Sequence, residues 1–145
     1  YDPHFPEDSG PGWAKIAHRR VHGLEELLKE SDIVSVHVPL TPSTKGLISY
    51  DRIKLMKPSA ILLNTARGGI VDEDDLTRAL EERVIAGAGF DCHEKEPPPK
   101  DRYERLWACP GFVGTPHIAA ATEATQVATT NGATDQVYAY LKTKH

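Results

Sequence analysis

Ser59-Ala-Ile-Leu-Leu-Asn64 runs straight into Thr65-Ala-Arg-Gly-Gly-Ile-Val-Asp-Glu73, an apolar stretch of strand length closed by a glycine turn and by the acids that open a helix. Two further stretches have the same build: Asp32-Ile-Val-Ser-Val-His-Val38 and, with smaller side chains, Val84-Ile-Ala-Gly-Ala-Gly-Phe90. Apolar runs of this length bounded by turn residues read as strands. Their lack of clean polar alternation predicts strands covered on both faces, as in a parallel sheet between helices. Phe112-Val-Gly-Thr115 is a fourth strand in the same reading.

Helical stretches alternate with these runs. Leu24-Glu-Glu-Leu-Leu-Lys29 precedes the first, a short helix is expected around Tyr50 to Met56, and Glu73 to Arg83 precedes the third. In the last of these, Leu76, Ala79, Leu80 and Arg83 share one face. Asp72 stands at its N-cap position, and acids in the first turn complement the helix dipole. An Ala/Thr-rich helix is expected over roughly Ala121 to Leu141, weakened or kinked near Asn131-Gly132. Such alternation implies an open α/β sheet, because parallel neighbours need crossover connections that are usually helices.

Composition narrows the function classes. The chain has 145 residues with 17 Lys+Arg against 21 Asp+Glu, a formal net charge of −4 and 39% hydrophobic residues, which suits one domain. Near-balanced charge without a Lys/Arg cluster argues against a nucleic-acid partner. The longest apolar stretches fall far short of the roughly 20 residues needed to cross a bilayer, so no membrane association is expected. Two cysteines, Cys92 and Cys109, make no disulfide framework, and with no signal-peptide pattern a reducing, cytoplasmic setting is expected. The Pro97-Pro98-Pro99 run reads as a stiff loop and Asp8-Ser-Gly-Pro-Gly12 as a surface turn.

In open α/β sheets, ligands sit beyond the carboxyl ends of the strands. The residues that follow each run are therefore the informative ones: Val38-Pro-Leu-Thr-Pro-Ser-Thr44, Thr65 to Glu73, Asp91-Cys-His-Glu-Lys-Glu-Pro97 and Thr115-Pro-His-Ile-Ala-Ala-Ala-Thr122. Arg67, Glu96 and His117 thereby share one edge. Each alone reads as an ordinary surface residue. Together they are the parts needed to move a hydride to or from a carbon that bears oxygen beside a carboxylate. Arg67 offers a planar fork of donors to the carboxylate and polarises the adjacent carbonyl. His117, whose type titrates near pH 6.5, supplies or removes the proton, and a carboxylate such as Glu96 would raise its pKa and orient the ring.

The wording of these segments resembles the NAD-binding domain of the D-isomer-specific 2-hydroxyacid dehydrogenases, the family of D-lactate, glycerate, phosphoglycerate and formate dehydrogenases. The resemblance covers nearly the whole chain. It is carried by Val36 to Thr44 with Gly46-Leu47-Ile48, by Met56-Lys57-Pro58 through Leu63 to Glu73, by Ala88-Gly-Phe-Asp91 with Glu94-Lys-Glu-Pro97, and by Thr115-Pro-His-Ile118. It implies a partial Rossmann-type, doubly wound parallel α/β sheet, the distal part of an NAD-binding domain. Arg67, Glu96 and His117 match the family's catalytic arginine, glutamate and histidine. Cofactor contacts are implied for Val38, Pro39, Thr44, Thr65, Ala66, Arg67, Asp91, His117, Ala119 and Ala120. Tyr1-Asp2-Pro3 resembles the end of the family's second strand, where an acid such as Asp2 holds the adenosine ribose hydroxyls and favours NAD over NADP.

The pattern is broken at one place. The Gly-x-Gly-x-x-Gly fingerprint that cradles the pyrophosphate should lie about 20 residues before that acid. Gly10-Pro-Gly12 continues to Lys15 where the third glycine should stand, and Gly87-Ala-Gly89 continues to Cys92 within a strand. Residues 1–145 are thus expected to be an incomplete NAD-binding domain with the substrate domain absent. Weak intrinsic NAD affinity, negligible dehydrogenase activity for this chain alone and a tendency to homo-oligomerise through an uncovered sheet follow as expectations.

Cys92-His93 stands where the family more often has a hydrophobic and aromatic pair. No two of Cys92, His93, His4, His18 and His22 have convincing ligand spacing, so no metal site is expected. The main reading is an NAD-dependent oxidoreductase of a D-2-hydroxy acid or its 2-oxo acid. An NAD(H)-sensing protein of the corepressor type shares the same residues and is the alternative; a folded remnant that binds nothing is a third.

Overall fold

A computed structural model describes residues 1–4 and 15–143. The turn expected at residues 8–12, with its Gly10-Pro-Gly12, lies outside the described residues. The elements run α1 (Leu24–Glu30), β1 (Ile33–Val36), α2 (Tyr50–Ile53), β2 (Ile61–Asn64), α3 (Glu73–Glu81), β3 (Gly87–Phe90), α4 (Lys100–Ala108), β4 (Phe112–Gly114) and α5 (Glu123–Lys142). The four strands form one sheet in the order β1-β2-β3-β4, every pair parallel. The open α/β sheet of Rossmann type expected from the sequence is therefore present.

Register decides which face is packed. Val34, Leu62, Ala88 and Phe112 lie in one row across the sheet, and Val36, Asn64, Phe90 and Gly114 in the next but one. The apolar members of these rows pack against Leu28 of α1, Ile53 of α2, Leu76, Ala79 and Leu80 of α3, and Tyr103 and Leu106 of α4. The opposite face carries Ile33, 60% exposed, Ile61, 39% exposed, and Val113, 66% exposed. Among the described residues the sheet is thus covered on one face only, which corrects the expectation of burial on both. Continuous apolar runs mark residues built to be covered; here β1 and β2 alternate between buried positions and exposed or half-buried ones because nothing described lies over their other side.

The local signals work where they are strong. Asp72 caps α3 through its side chain, which accepts from the N–H groups of Asp74 and Asp75. α2 is one turn, shorter than expected, and ends at Ile53. α5 begins at a Thr122 cap and stays helical through Asn131-Gly132, so no break occurs where a weak point was expected. It buries no residue. α4 was not anticipated: its sequence, Lys-Asp-Arg-Tyr-Glu-Arg-Leu-Trp-Ala, is mostly polar, and only Tyr103 and Leu106 form the buried stripe. Both cysteines are buried and unlinked. No described helix is long and apolar enough to cross a membrane.

Candidate active site

Because all four strands are parallel, their carboxyl ends lie on one edge, and the turns that follow them converge there. Asn64, the last residue of β2, is fully buried and builds the first turn from within. Its side-chain oxygen accepts from the Ala66 N–H at 3.2 Å and its amide nitrogen donates to the Arg67 carbonyl at 2.9 Å. Thr65 and Arg67 are left exposed on the rim, Ala66 half-buried, and the Arg67 Nη1 donates to the Ala66 carbonyl at 2.7 Å.

The next two residues explain the glycine pair. A Cβ on Gly68 would lie 2.0 Å from the His93 carbonyl carbon, so only glycine lets the turn after β2 seat against the loop after β3. Gly69 has φ +80, a left-handed conformation that a side chain would strain. The loop after β1 is tied into the same structure: the Gly46 N–H donates to the Gly69 carbonyl, and Ile48 pairs with Val71. In that loop Pro39 is exposed and Val38 packs on the core. Thr44, half-buried, donates its hydroxyl to the Pro39 carbonyl at 2.6 Å, which shapes the loop from inside.

The loop after β3 holds the two acids, in different environments. Asp91 is buried. Its Oδ1 accepts from the Thr115 hydroxyl at 2.6 Å and the Ile118 N–H at 2.9 Å, and its Oδ2 from the Ala119 N–H at 3.0 Å. Burial pushes the Asp91 carboxyl up, but the Thr115 hydroxyl and the two N–H groups outweigh it and hold its pKa below the ordinary aspartate value. Asp91 therefore clamps the turn that presents His117, whose own backbone is left-handed at φ +56.

Glu96 is more open. Its Oε2 stands 2.7 Å from the His117 Nδ1, and its Oε1 accepts the His93 N–H at 3.0 Å. The hydrogen bond with the His117 ring, helped by the His93 N–H and opposed by burial, holds the Glu96 carboxyl below the usual glutamate range. With Nδ1 engaged, Nε2 is the imidazole atom left open, and no described hydrogen bond uses it. The predicted pairing of Glu96 with His117 is thus what the fold brings together, at the edge that also carries Arg67.

Not every expected residue joins the cluster. Asp2 is exposed; its carboxylate accepts the His4 N–H and its backbone carbonyl accepts from the Arg20 guanidinium, and neither donor belongs to the strand-end turns. Ala120 is exposed and uses its carbonyl to accept from the Gln126 side chain. Two residues escaped sequence reasoning. Glu73 and His93 are both buried, with His93 Nδ1 3.6 Å from Glu73 Oε1, and that same Oε1 accepts the Glu94 N–H at 2.9 Å. They brace the Glu96 loop from behind, and only the departure of His93 from an apolar pattern could have signalled them.

The set fits the nicotinamide side of a dinucleotide. Exposed turn backbone at Thr65 and Arg67, the glycine pair and a carboxylate at the end of the central strand leave a polar edge with donors and acceptors. A pyrophosphate cradle of the Gly-x-Gly-x-x-Gly type is not among the 145 residues.

Comparison with known proteins agrees. Residues 1–119 match the family model of the D-isomer specific 2-hydroxyacid dehydrogenase, NAD binding domain. The chain is 49% identical over 105 residues to the glycerate dehydrogenase of Methylorubrum extorquens, covering 72% of this chain and 33% of that protein. It is 39% identical over 142 residues to the D-3-phosphoglycerate dehydrogenase of Methanocaldococcus jannaschii, covering 98% of this chain and 26% of that protein. Among solved structures, D-lactate dehydrogenase of Aquifex aeolicus complexed with NAD and lactic acid superposes with a TM-score of 0.68 at 37% identity, over 81% of this chain and 39% of that one. The chain spans a third or less of the length of the two curated relatives.

Proposed function

From the premise that the chain belongs to the D-isomer-specific 2-hydroxyacid dehydrogenase family through its NAD-binding domain, we propose that it supplies the proton-transfer pair and carboxylate anchor of an NAD-dependent oxidoreductase. The substrate class is a D-2-hydroxy acid or its 2-oxo acid. The observation that carries this reading is the 2.7 Å contact between His117 Nδ1 and Glu96 Oε2 on the edge shared with Arg67.

In the reducing direction, the carboxylate of the 2-oxo acid docks on the Arg67 guanidinium, whose remaining N–H groups also face the carbonyl oxygen as charge develops there. His117 gives its Nε2 proton to that oxygen as it becomes the hydroxyl. Glu96 fixes the ring orientation and stabilises the imidazolium form before the transfer. Bound NADH supplies the hydride that the substrate carbon takes up. Asp91 keeps His117 in place through the backbone of its turn and retains acceptor capacity for an amide at the nicotinamide end. Val38, Pro39, Thr44, Thr65, Ala66, Ala119 and Ala120 form the remaining cofactor wall in this reading, and Asp2 favours NAD over NADP.

Residues 1–145 act in this proposal as an incomplete NAD-binding domain that needs a pyrophosphate cradle and a substrate domain for turnover. The bare sheet face and the β1 edge favour a homo-oligomer, and two unlinked buried thiols suit a cytoplasmic setting. The corepressor-type alternative gains no support from the relatives.

Calorimetric titration of NADH, with NADPH as control, into the 145-residue chain tests the cofactor, and reduction of glyoxylate or pyruvate by the complete protein tests the chemistry. Expected are weak NADH binding by the isolated chain and a loss of turnover of about 100-fold or more in His117→Ala. Undiminished reduction by His117→Ala would overturn the assignment.

A further inference from the structure

The side chain that follows Asp91 is not accounted for by the proton-transfer pair. Cys92 is buried, its thiol donates a long 3.5 Å contact to the Ala66 carbonyl, and it belongs to the same edge as Arg67. Its Sγ, a Glu96 carboxylate oxygen and a His117 ring nitrogen all lie within 4.8 Å of one another. Ligands of a tetrahedral zinc ion, with bonds of 2.0–2.3 Å, stand about 3.5 Å apart, so the hydrogen bond of 2.7 Å between His117 Nδ1 and Glu96 Oε2 gives way as both side chains turn toward the Cys92 sulfur. The side chains of Glu96 and His117 are exposed, so rotation about their own bonds supplies the movement while the backbone stays held.

We propose that Cys92, Glu96 and His117 form a three-ligand site for a borderline-soft divalent cation, of which Zn²⁺ is the natural occupant, and that the bound ion blocks the pair. Sulfur, carboxylate oxygen and imidazole nitrogen form a mixed donor set that zinc accepts. On binding, the Cys92 thiol loses its proton to solvent as the sulfur–metal bond forms, and thiolate and carboxylate together balance the 2+ charge. Three protein ligands leave a fourth position for water or an anion, and the nearby Arg67 charge favours an anion there. Pairwise spacing could not disclose this site. Its ligands come from the loops after two strands and meet only in the folded edge, which revises the expectation of no metal.

Blocking rests on the reading of His117 and Glu96 as the proton-transfer pair; binding does not. The two are separated by titrating Co²⁺, then Zn²⁺, into the full chain under reducing conditions and recording absorption. Expected is one equivalent of Co²⁺ with a near-ultraviolet sulfur-to-cobalt charge-transfer band, bleached by Zn²⁺. Cys92→Val and Cys92→Ala, each verified as folded by circular dichroism, should lose the band. Cys109→Ala should keep it, and His117→Ala should bind at least tenfold more weakly. Absence of a sulfur band, or a band that survives removal of Cys92, overturns the site. Activity is read on the complete protein: if it shows the band with Co²⁺ yet keeps full 2-oxo acid reduction when loaded with zinc, the pair is overturned and the metal site left standing.

Discussion

The sheet body and the terminal helix α5 are both regular and well capped, yet they are held by different forces. In the body, Leu62, Leu76, Ile53 and Leu28 are fully buried, and buried polar residues such as Asn64 and Asp91 have their bonding capacity used by the turns around them. In α5, Val127, Val137, Tyr138, Tyr140 and Leu141 are all more than half exposed, and the helix is tied to the rest through the Thr122 cap and the Gln126 to Ala120 bond. Most helical stability in proteins comes from packing an apolar face, and α5 has none buried. The comparison teaches that regular secondary structure and packing are separable here, and that the exposed turns carrying Arg67, Glu96 and His117 are held in place by the packed body beneath them.

The largest expected effect lies in the body. Leu62→Ala removes a fully buried side chain from the middle of the sheet and should cost about 3 kcal/mol in urea unfolding. His93→Phe should cost nearly as much, about 2–3 kcal/mol, because it removes the imidazole that faces the buried Glu73 carboxylate at 3.6 Å and leaves an apolar ring in its place, with the Glu94 N–H bond unchanged. Adding Glu73→Gln to it should recover more than half of that loss. A double-mutant cycle without coupling would show that the 3.6 Å pair does not act as a unit.

Asp91→Asn should follow, at about 2 kcal/mol, since an amide nitrogen would face the donors that the carboxylate now accepts. Its pH dependence sharpens the point. The folded Asp91 pKa is lowered, so its contribution is complete well above the unfolded value of about 3.9 and is lost as pH falls through the folded one. Urea midpoints between pH 6 and pH 2 should therefore fall less steeply in Asp91→Asn than in the parent chain. The smallest effect belongs to α5: Leu141→Ala should stay within about 0.5 kcal/mol, and a larger loss would mean that a second copy or another partner surface covers the helix.

How much of this was legible in the sequence varies by element. β2 with α3 was readable because an apolar run, the Asp72 cap and the Leu76/Ala79/Leu80 stripe all point the same way. Arg67, Glu96 and His117 were readable because parallel topology fixes which residues follow strands, and the fold adds the distance. α4 was not, because charged residues dilute its two-residue stripe and the prolines before it suggest a loop. The clamp made by Asp91 was invisible for a different reason: its donors lie 24–28 residues downstream and two of them are backbone N–H groups, which no side-chain pattern encodes. The bare sheet face was equally hidden, since an apolar run records what a strand is built to meet.

Gly68 carries a mechanical consequence. With no room for a Cβ against the His93 carbonyl, the seam between the two loops works as a spacer of fixed thickness. Widening it with Gly68→Ala must drive the His93–Glu94 backbone back by about 1 Å or more. Glu96 is bonded to the His93 N–H, so the displacement is delivered to its contact with His117. One methyl group on the far side of the seam would thus reset the spacing between Glu96 and His117, making position 68 a calibration point for that distance.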